Sequence, residues 1–483
     1  MSKFIISVIL LVLVFYKPVL AAPYEAYLYD RVRIGDTVSS INGYVPERSF
    51  SGQSLGVGAF LNPSDLFTTQ DGTLYVADTG NHRIVVIDLN SYIVLGEIDG
   101  FYNFYKNGEF DTFERPQGVF VAQNGDIYIA DTNNGRVVHL NSSAELIKIV
   151  GEPVSELISE HFIYRPRKVS ADLGGRLFVV AEATTEGLIQ FSSRGEFIGF
   201  FGGNRVTPNF AELFLRLFLT REQRARRSIL VPVEYSNVYV DSRNFIYVTT
   251  IRQTQNQVKR LNFNGSNILR ADGPTGNRFG DLIDWTGDGH SIVDVTADEF
   301  ENFTILDSLR GRFYQYNQMG ELLFVAGGIG DSLGLFRNPI AIDQWNEKIF
   351  VLDNTTNDVT VFIKNEFGEA VHSANNAFFS GDYETAALGW QRVIELNTNF
   401  GPAYVGLGHE AMRLREFENA AYYYEGANYR RGYSRAFREI RNAWLREYFT
   451  VYSLGLIAFA IVALITKPKR RALAKRVKTY FEL

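Results

Sequence analysis

The sequence predicts a mainly β protein: a six-bladed β-propeller, then a small α-helical module, then one C-terminal transmembrane helix. Three observations predict it. A pattern of hydrophobic strand, polar stop and second strand comes six times between residues 60 and 365. The hydrophobic period then changes from 2 to 3.6 over residues 367–447. Finally, Tyr448–Thr466 is an uncharged run of 19 residues, close to the length that spans a bilayer as a helix.

The clearest copy of the pattern reads Leu74-Tyr75-Val76-Ala77-Asp78, with Asn81-His82-Arg83 ahead of Ile84-Val85-Val86-Ile87. The second reads Ile127-Tyr128-Ile129-Ala130-Asp131, with Arg136 before Val137-Val138. Four degenerate copies end at Glu182, Thr250, Asp307 and Asp353. One such sheet cannot bury its faces alone, so the copies must stack in a line or around an axis. Four-stranded units of this length suit a closed propeller over residues 24–365. The sixth copy runs out of strand near Ile363. Residues 24–58 hold strand-like stretches at Ala26–Tyr29 and Val38–Val45, and this N-terminal segment is expected to supply the outer strand, closing the ring and removing the open sheet edges.

Leu74–Asp78 followed by Asn81-His82-Arg83 resembles the NHL repeat, and Asn62-Pro63, Arg115-Pro116, Arg165-Pro166 and Asn338-Pro339 resemble its upstream proline. The resemblance covers about residues 60–365 and is closest in copies one, two and six. It implies a propeller of a kind that mostly binds proteins, RNA or ligands. Relatives include lactonases and lyases, so the fold leaves the function open.

The N-terminus has Lys3, an apolar run Phe4–Phe15, Pro18 and Ala21-Ala22. A basic start, a short apolar core and small residues make residues 1–22 a signal peptide. Lys467, Lys469, Arg470, Arg471, Lys475, Arg476 and Lys478 follow the C-terminal span. The positive-inside rule puts that tail, residues 467–483, in the cytoplasm and the body outside. The two termini therefore agree on a single-pass protein of the cell membrane with an extracytoplasmic body. There are no cysteines, which excludes disulfides, thiolate catalysis and cysteine-based zinc sites. An exported chain without cysteine fits a bacterial envelope better than a eukaryotic cell surface. The formal net charge of −6 provides no general field for nucleic acid.

A helical insertion is expected at about 208–229. Phe210, Leu213, Phe214, Leu217 and Phe218 fall at helical spacing, and Arg216, Arg221, Arg224, Arg226 and Arg227 make the stretch basic. It reads as a helix packed over a propeller face or as a surface that touches anionic lipid or a membrane partner. In residues 367–447, Gly381-Asp382-Tyr383 and Ala386 return 34 residues later as Arg415-Glu416-Phe417 and Ala420. This period resembles the tetratricopeptide repeat. The resemblance implies a concave peptide-binding face carrying Val371, Asn375, Phe378 and Phe379, then Val405, His409, Met412 and Arg413. The competing reading makes Phe378 and Met412 core.

One position carries the candidate chemistry. Thirteen residues before each marker, fourteen in the third copy, stand Asp65, Gly118, Lys168, Asn237, Asp294 and Ile340. Each opens an innermost strand, so all six are expected near the mouth of the central channel. Asp65, Asn237 and Asp294 are oxygen donors suited to calcium or magnesium. They resemble, in type and place, the cation ligands of lactonase-type propellers. Gly, Asp and Asn also satisfy turns, and that alternative stays open. Lys168 is a candidate partner contact beside them. Asp284-Trp285-Thr286-Gly287-Asp288-Gly289 resembles the start of a calcium loop but has Val295 where the terminal glutamate belongs. The six histidines show no metal spacing, and no nucleophile elbow, Walker loop or dinucleotide fingerprint is present. No cofactor is required; a divalent cation is the one candidate. These features favour a membrane-anchored binding scaffold, with protein partners such as a transporter or envelope complex, over an enzyme. The alternative is a divalent-cation-dependent hydrolase of the sugar-lactonase type.

Overall fold

The structure is a computed structural model that describes residues 22–33, 36–155, 158, 162–203, 234–251, 255–270, 276–281 and 290–481. The signal peptide, the helical insertion at 208–229 and the Asp284–Gly289 motif lie outside these residues, apart from Ala22.

Six antiparallel sheets form the propeller. Their innermost strands are Asp65–Thr68, Pro116–Val121, Pro166–Ala171, Tyr235–Val240, Ile292–Ala297 and Pro339–Trp345. Blades one, two, three and five have four consecutive strands, and blade four has three among the described residues. The second strands Ile127–Asp131, Leu177–Ala181, Ile246–Thr250 and Phe303–Asp307 are buried at every residue. Neighbouring blades cover both of their faces. They therefore read as continuous apolar runs rather than as alternating strands.

The repeated marker has a specific task. Asp78 Oδ1 accepts from the Leu61 amide at 2.7 Å, and its Oδ2 accepts from Asn81 Nδ2 and Arg83 Nε. Asp131 does the same with the Glu114 amide, Asn134 and Arg136. Each carboxylate thus ties the segment entering its blade to the turn between the second and third strands. The following threonines clamp blade to blade: Thr79 Oγ1 donates to the Pro116 carbonyl and Thr132 Oγ1 to the Pro166 carbonyl, both at 2.6 Å. Buried polar atoms need such partners. The spacing Asp-x-x-Asn-x-Arg is therefore a hydrogen-bonding requirement.

Residues Tyr44–Ser51 form the outer strand of blade six, pairing from Asp358↔Ser51 to Lys364↔Tyr44. The N-terminal segment thus closes the ring, but with a strand that begins only at the end of the expected stretch Val38–Val45, while Ala26–Tyr29 pairs elsewhere. Ahead of this strand, a hairpin of Ala26–Tyr29 and Thr37–Ser40 packs beside the outer strand of blade five, Leu322–Gly327. Tyr29 Oη meets Tyr316 Oη at 2.7 Å, and Arg31 pairs with Glu321 at 2.5 Å.

Five helices follow: α1 Glu366–Ser380, α2 Tyr383–Leu396, α3 Gly401–Arg413, α4 Phe417–Gly426 and α5 Arg430–Phe481. Asn365 caps α1 through the Gly368 amide, as short polar side chains do at helix starts. Successive helices approach closely at glycines. A Cβ at Gly389 would meet Ala374, one at Gly406 would meet Trp390, and one at Gly408 would meet Tyr424. The α5 helix is long and apolar enough to cross a membrane between Arg430 and Lys467, and its apolar window is not buried in the fold.

Candidate functional site

Side chains alternate faces along a strand, so each innermost strand contributes every second residue to the axis. The first tier holds Asp65, Gly118, Lys168, Asn237 and Asp294, each at the same register against its second strand. In blade six the matching residue is Ala341, paired with Leu352, and not Ile340. There the first two strands join by a tight turn, with Asn346 and Glu347 both at positive φ. That turn is one residue shorter than its counterparts, which moves the register. In blade three the second strand ends at Ala181, opposite Pro166, so Glu182 falls one place past the marker position.

The predicted tier residues do converge, but inside the ring rather than at an open mouth. Asp65, Asn237 and Asp294 are all buried. The cavity they line with Lys168 measures about 20 Å³, room for one water. Lys168 Nζ is paired with Asp65 Oδ1 and donates to the Ser64 carbonyl at 3.3 Å. Asp65 Oδ2 accepts from the Val119 amide at 2.9 Å. Asn237 Nδ2 donates to Asp294 Oδ1, which also accepts from its neighbour Val295 N; Asp294 Oδ2 accepts from Ile342 N at 2.8 Å. Burial pushes both carboxyls above the ordinary range, and the Lys168 ammonium pulls both back down. Among the described residues no group of three or more His, Asp or Glu side chains is gathered as a metal site.

Two residues further along each strand lies a second tier: Phe67, Phe120, Ser170, Tyr239, Thr296 and Asp343. Asp343 accepts from Thr68 N, Thr68 Oγ1, Thr296 Oγ1 and Gln344 N. Burial pushes its carboxyl up to about 6 against those four hydrogen bonds. Beyond this tier the channel widens into a funnel of about 840 Å³ at the turns that join first to second strands. The funnel was missed in the sequence. Stepping two residues on from the first tier was the signal that could have found it.

The helical candidates are divided by the structure. Val371 and Asn375 do not line an open groove. Val371 is fully buried in the core shared with blade five. Asn375 Nδ2 donates to Asn302 Oδ1 at 2.8 Å, and Asn375 Oδ1 accepts from Asn317 at 3.4 Å. The face expected to bind a peptide is, along α1, the face that docks on the propeller. Phe378 stacks on His409, whose Nδ1 meets Tyr424 Oη at 2.9 Å. Met412 is half-buried beside a small helical core. Arg413 is exposed and pairs with Glu410.

His372 sits in that docking seam. Its Nε2 meets Gln315 Oε1 at 2.7 Å and Tyr44 Oη at 3.3 Å, and its ring lies 5.5 Å from Phe324 at 8°. Burial holds the imidazole well below its usual range, with Lys364 adding to the effect. A base whose folded pKa is depressed contributes stability above its unfolded value near 6.5, and loses it as pH falls below. Asp298 and Asp343, both raised to about 6, act in the opposite sense. Comparison with His372→Gln isolates the imidazole. We expect the destabilisation caused by His372→Gln to shrink by about 2 kcal/mol between about pH 7 and about pH 5, as read by denaturant unfolding. A pH-independent difference between the two chains would remove the imidazole from the account.

These observations define a six-bladed propeller with a helical module docked on blade five and a buried, charge-paired axial tier. Residues 60–87 and 113–140 match the model of the NHL repeat family, so the chain carries NHL repeats in its first two blades. Over 127 residues it is 35% identical to NHL repeat-containing protein 2 of Homo sapiens, covering 26% of this chain and 16% of that protein. Over 228 residues it is 24% identical to a probable peptidyl-alpha-hydroxyglycine alpha-amidating lyase of Caenorhabditis elegans, covering 45% of this chain and 61% of the relative. The chain thus spans about a sixth of the first relative and three fifths of the second. Among solved structures, virginiamycin B lyase from Staphylococcus aureus is 10% identical with a TM-score of 0.39, covering 67% of this chain and 100% of its own. A protein of unknown function from Bacteroides thetaiotaomicron is 11% identical with a TM-score of 0.44, covering 68% of this chain and 80% of its own.

Proposed function

We propose that the protein is a membrane-tethered extracytoplasmic scaffold that binds proteins of the same membrane, a transporter or envelope complex being the class of partner. The observation that carries this reading is α5. It grows out of the helical module, is seated at its base by the buried Ala436, and continues as exposed apolar helix from Tyr448 to Thr466. A chain in water gains nothing by displaying such a helix, whereas a bilayer covers it. The signal-like start and the basic tail support an outside body. The hairpin of Gly100–Asn103 and Glu109–Thr112 adds support. It exposes Tyr102, Phe104, Tyr105 and Phe110, residue types in which protein interfaces are rich. The lactonase-type hydrolase is less favoured because Lys168 already answers Asp65, while Asn237 and two amides already answer Asp294.

Protease added to intact cells or spheroplasts should digest the propeller and spare a tag placed after Leu483. Affinity capture from solubilised membranes should return a membrane protein, and a Tyr102→Ser/Phe104→Ser/Tyr105→Ser chain should lose it. A body protected in spheroplasts overturns the topology. Capture that is indifferent to the triple substitution removes the hairpin from the binding surface.

A further inference from the structure

The funnel at the first-to-second strand turns has no part in the tether or in the helical module, so its failure as a site would leave the scaffold reading intact. Its volume of about 840 Å³ lies in the range of small-ligand sites. Its walls are aromatic: Phe67, Tyr75, Phe120, Tyr128 and Tyr239, with Phe67 and Phe120 in edge-to-face contact at 5.0 Å. Its rim holds the exposed carboxylate of Asp71, its lining includes the buried Asp172 and Asp241, and among the described residues no Lys, Arg or His side chain lines it. Asp172 accepts from the Gly174 and Arg176 amides and pairs with the Arg176 side chain, and Asp241 accepts from the Arg243 and Phe245 amides and lies 3.6 Å from Arg260. Asp71 is exposed, and among the described residues its carboxylate receives the Thr69 hydroxyl. The narrow axial cavity, which shares Phe67, Phe120 and Tyr239 with the funnel, is a separate space, and the buried Ser170 that lines it does not reach the funnel.

We propose that this funnel binds an organic cation, a primary ammonium or guanidinium on an apolar stem, presented by a polyamine or by the basic side chains of a peptide. Aromatic faces attract such cations, and more strongly in a partly desolvated cup. The exposed Asp71 carboxylate can pair with the cation at the rim, and the buried Asp172 and Asp241 add to the field. The three phenols sense the same field. Burial raises all of them, and nearby carboxylates raise them further: Asp71 for Tyr75, Asp126 and Asp172 for Tyr128, and Asp343 and Asp241 for Tyr239. The same field disfavours phosphates, carboxylates and nucleic acid.

The test is calorimetric titration of the detergent-solubilised full chain. The probes are spermidine, a capped Lys-Ala-Lys tripeptide, the capped Glu-Ala-Glu tripeptide and maltose. Spermidine and the lysine peptide should bind, compete with each other and weaken as salt rises, and the tighter of the two names the source. The glutamate peptide and maltose should give no binding. Asp71→Lys, at an exposed turn position, should keep the fold by circular dichroism and weaken the cations by roughly tenfold or more, while Asp71→Glu should restore binding. Absence of binding by either cation overturns the proposal. Binding of maltose or of the glutamate peptide in place of the cations, or affinities unchanged in Asp71→Lys, overturns it equally.

Discussion

Removing residues 24–51 is expected to unfold the propeller as a whole. The segment supplies the outer strand of blade six, paired from Tyr44 to Ser51 with Asp358–Lys364. It also supplies the hairpin that Tyr29 and Arg31 fasten to blade five. Tyr44 and Phe50 are buried, each contributing about 1.5–3 kcal/mol from burial alone. Tyr24, Leu28 and Tyr29 are buried as well. Against a total stability of about 5–15 kcal/mol, losing all of them leaves little. A milder variant makes the effect measurable. Tyr44→Ala removes a ring packed edge-on against Phe313 and Phe324 and an Oη that meets Gln315 and His372. A cost of about 3–5 kcal/mol is expected, read as a lower midpoint in denaturant with one cooperative transition covering blades and helical module together. A truncated chain that melts at the wild-type temperature, or a Tyr44→Ala chain whose module detaches in a separate early transition, would refute closure and the shared core respectively.

What could be read from the sequence follows from how many bonds each residue must satisfy. The markers Asp78 and Asp131 each hold an amide, an asparagine and an arginine, so their spacing is strict and the repeat is visible. Closure was legible because blade six runs out of strand. The first tier was legible as a fixed offset from the markers. It failed only where a tight turn at Asn346 and Glu347 shortened blade six and put Ala341 in place of Ile340. The docking of α1 was not legible. Val371 and Asn375 have the same helical spacing whether their face meets a peptide or a propeller. The partners that decide between the two, Asn302 and Asn317, are distant in sequence and carry no pattern of their own. The funnel was harder to see because its walls come from four different blades, although the first-tier offset taken two residues further reaches Phe67, Phe120 and Tyr239.

Replacing Lys168 with methionine is expected to destabilise the propeller by about 3–5 kcal/mol near neutral pH, the usual cost of stripping one partner from a buried ion pair. The Lys168 ammonium is the cation of the first tier. It is paired with Asp65 and lowers the pKa of Asp294 from a distance. Without it Asp65 keeps the Val119 amide, and two carboxyls face each other in a cavity of about 20 Å³. Both carboxyls are already raised by burial, and in Lys168→Met they rise further. A carboxyl raised in the fold contributes its stability at low pH and loses it as pH climbs through its folded value. The penalty should therefore be greatest on the alkaline side and shrink on acidification. The double variant Asp65→Asn/Lys168→Met should recover most of the loss, since a buried pair replaced by groups of similar volume often costs little. The wild-type midpoint should be indifferent to calcium, magnesium and chelator. A bound cation at 100 times its dissociation constant would add about 2.7 kcal/mol, which such a measurement resolves. A wild-type midpoint that calcium or magnesium raises and chelator lowers would make Asp65, Asn237 and Asp294 metal ligands and restore the hydrolase reading. A Lys168→Met chain as stable as the wild type would show that the ammonium is not what holds the tier together.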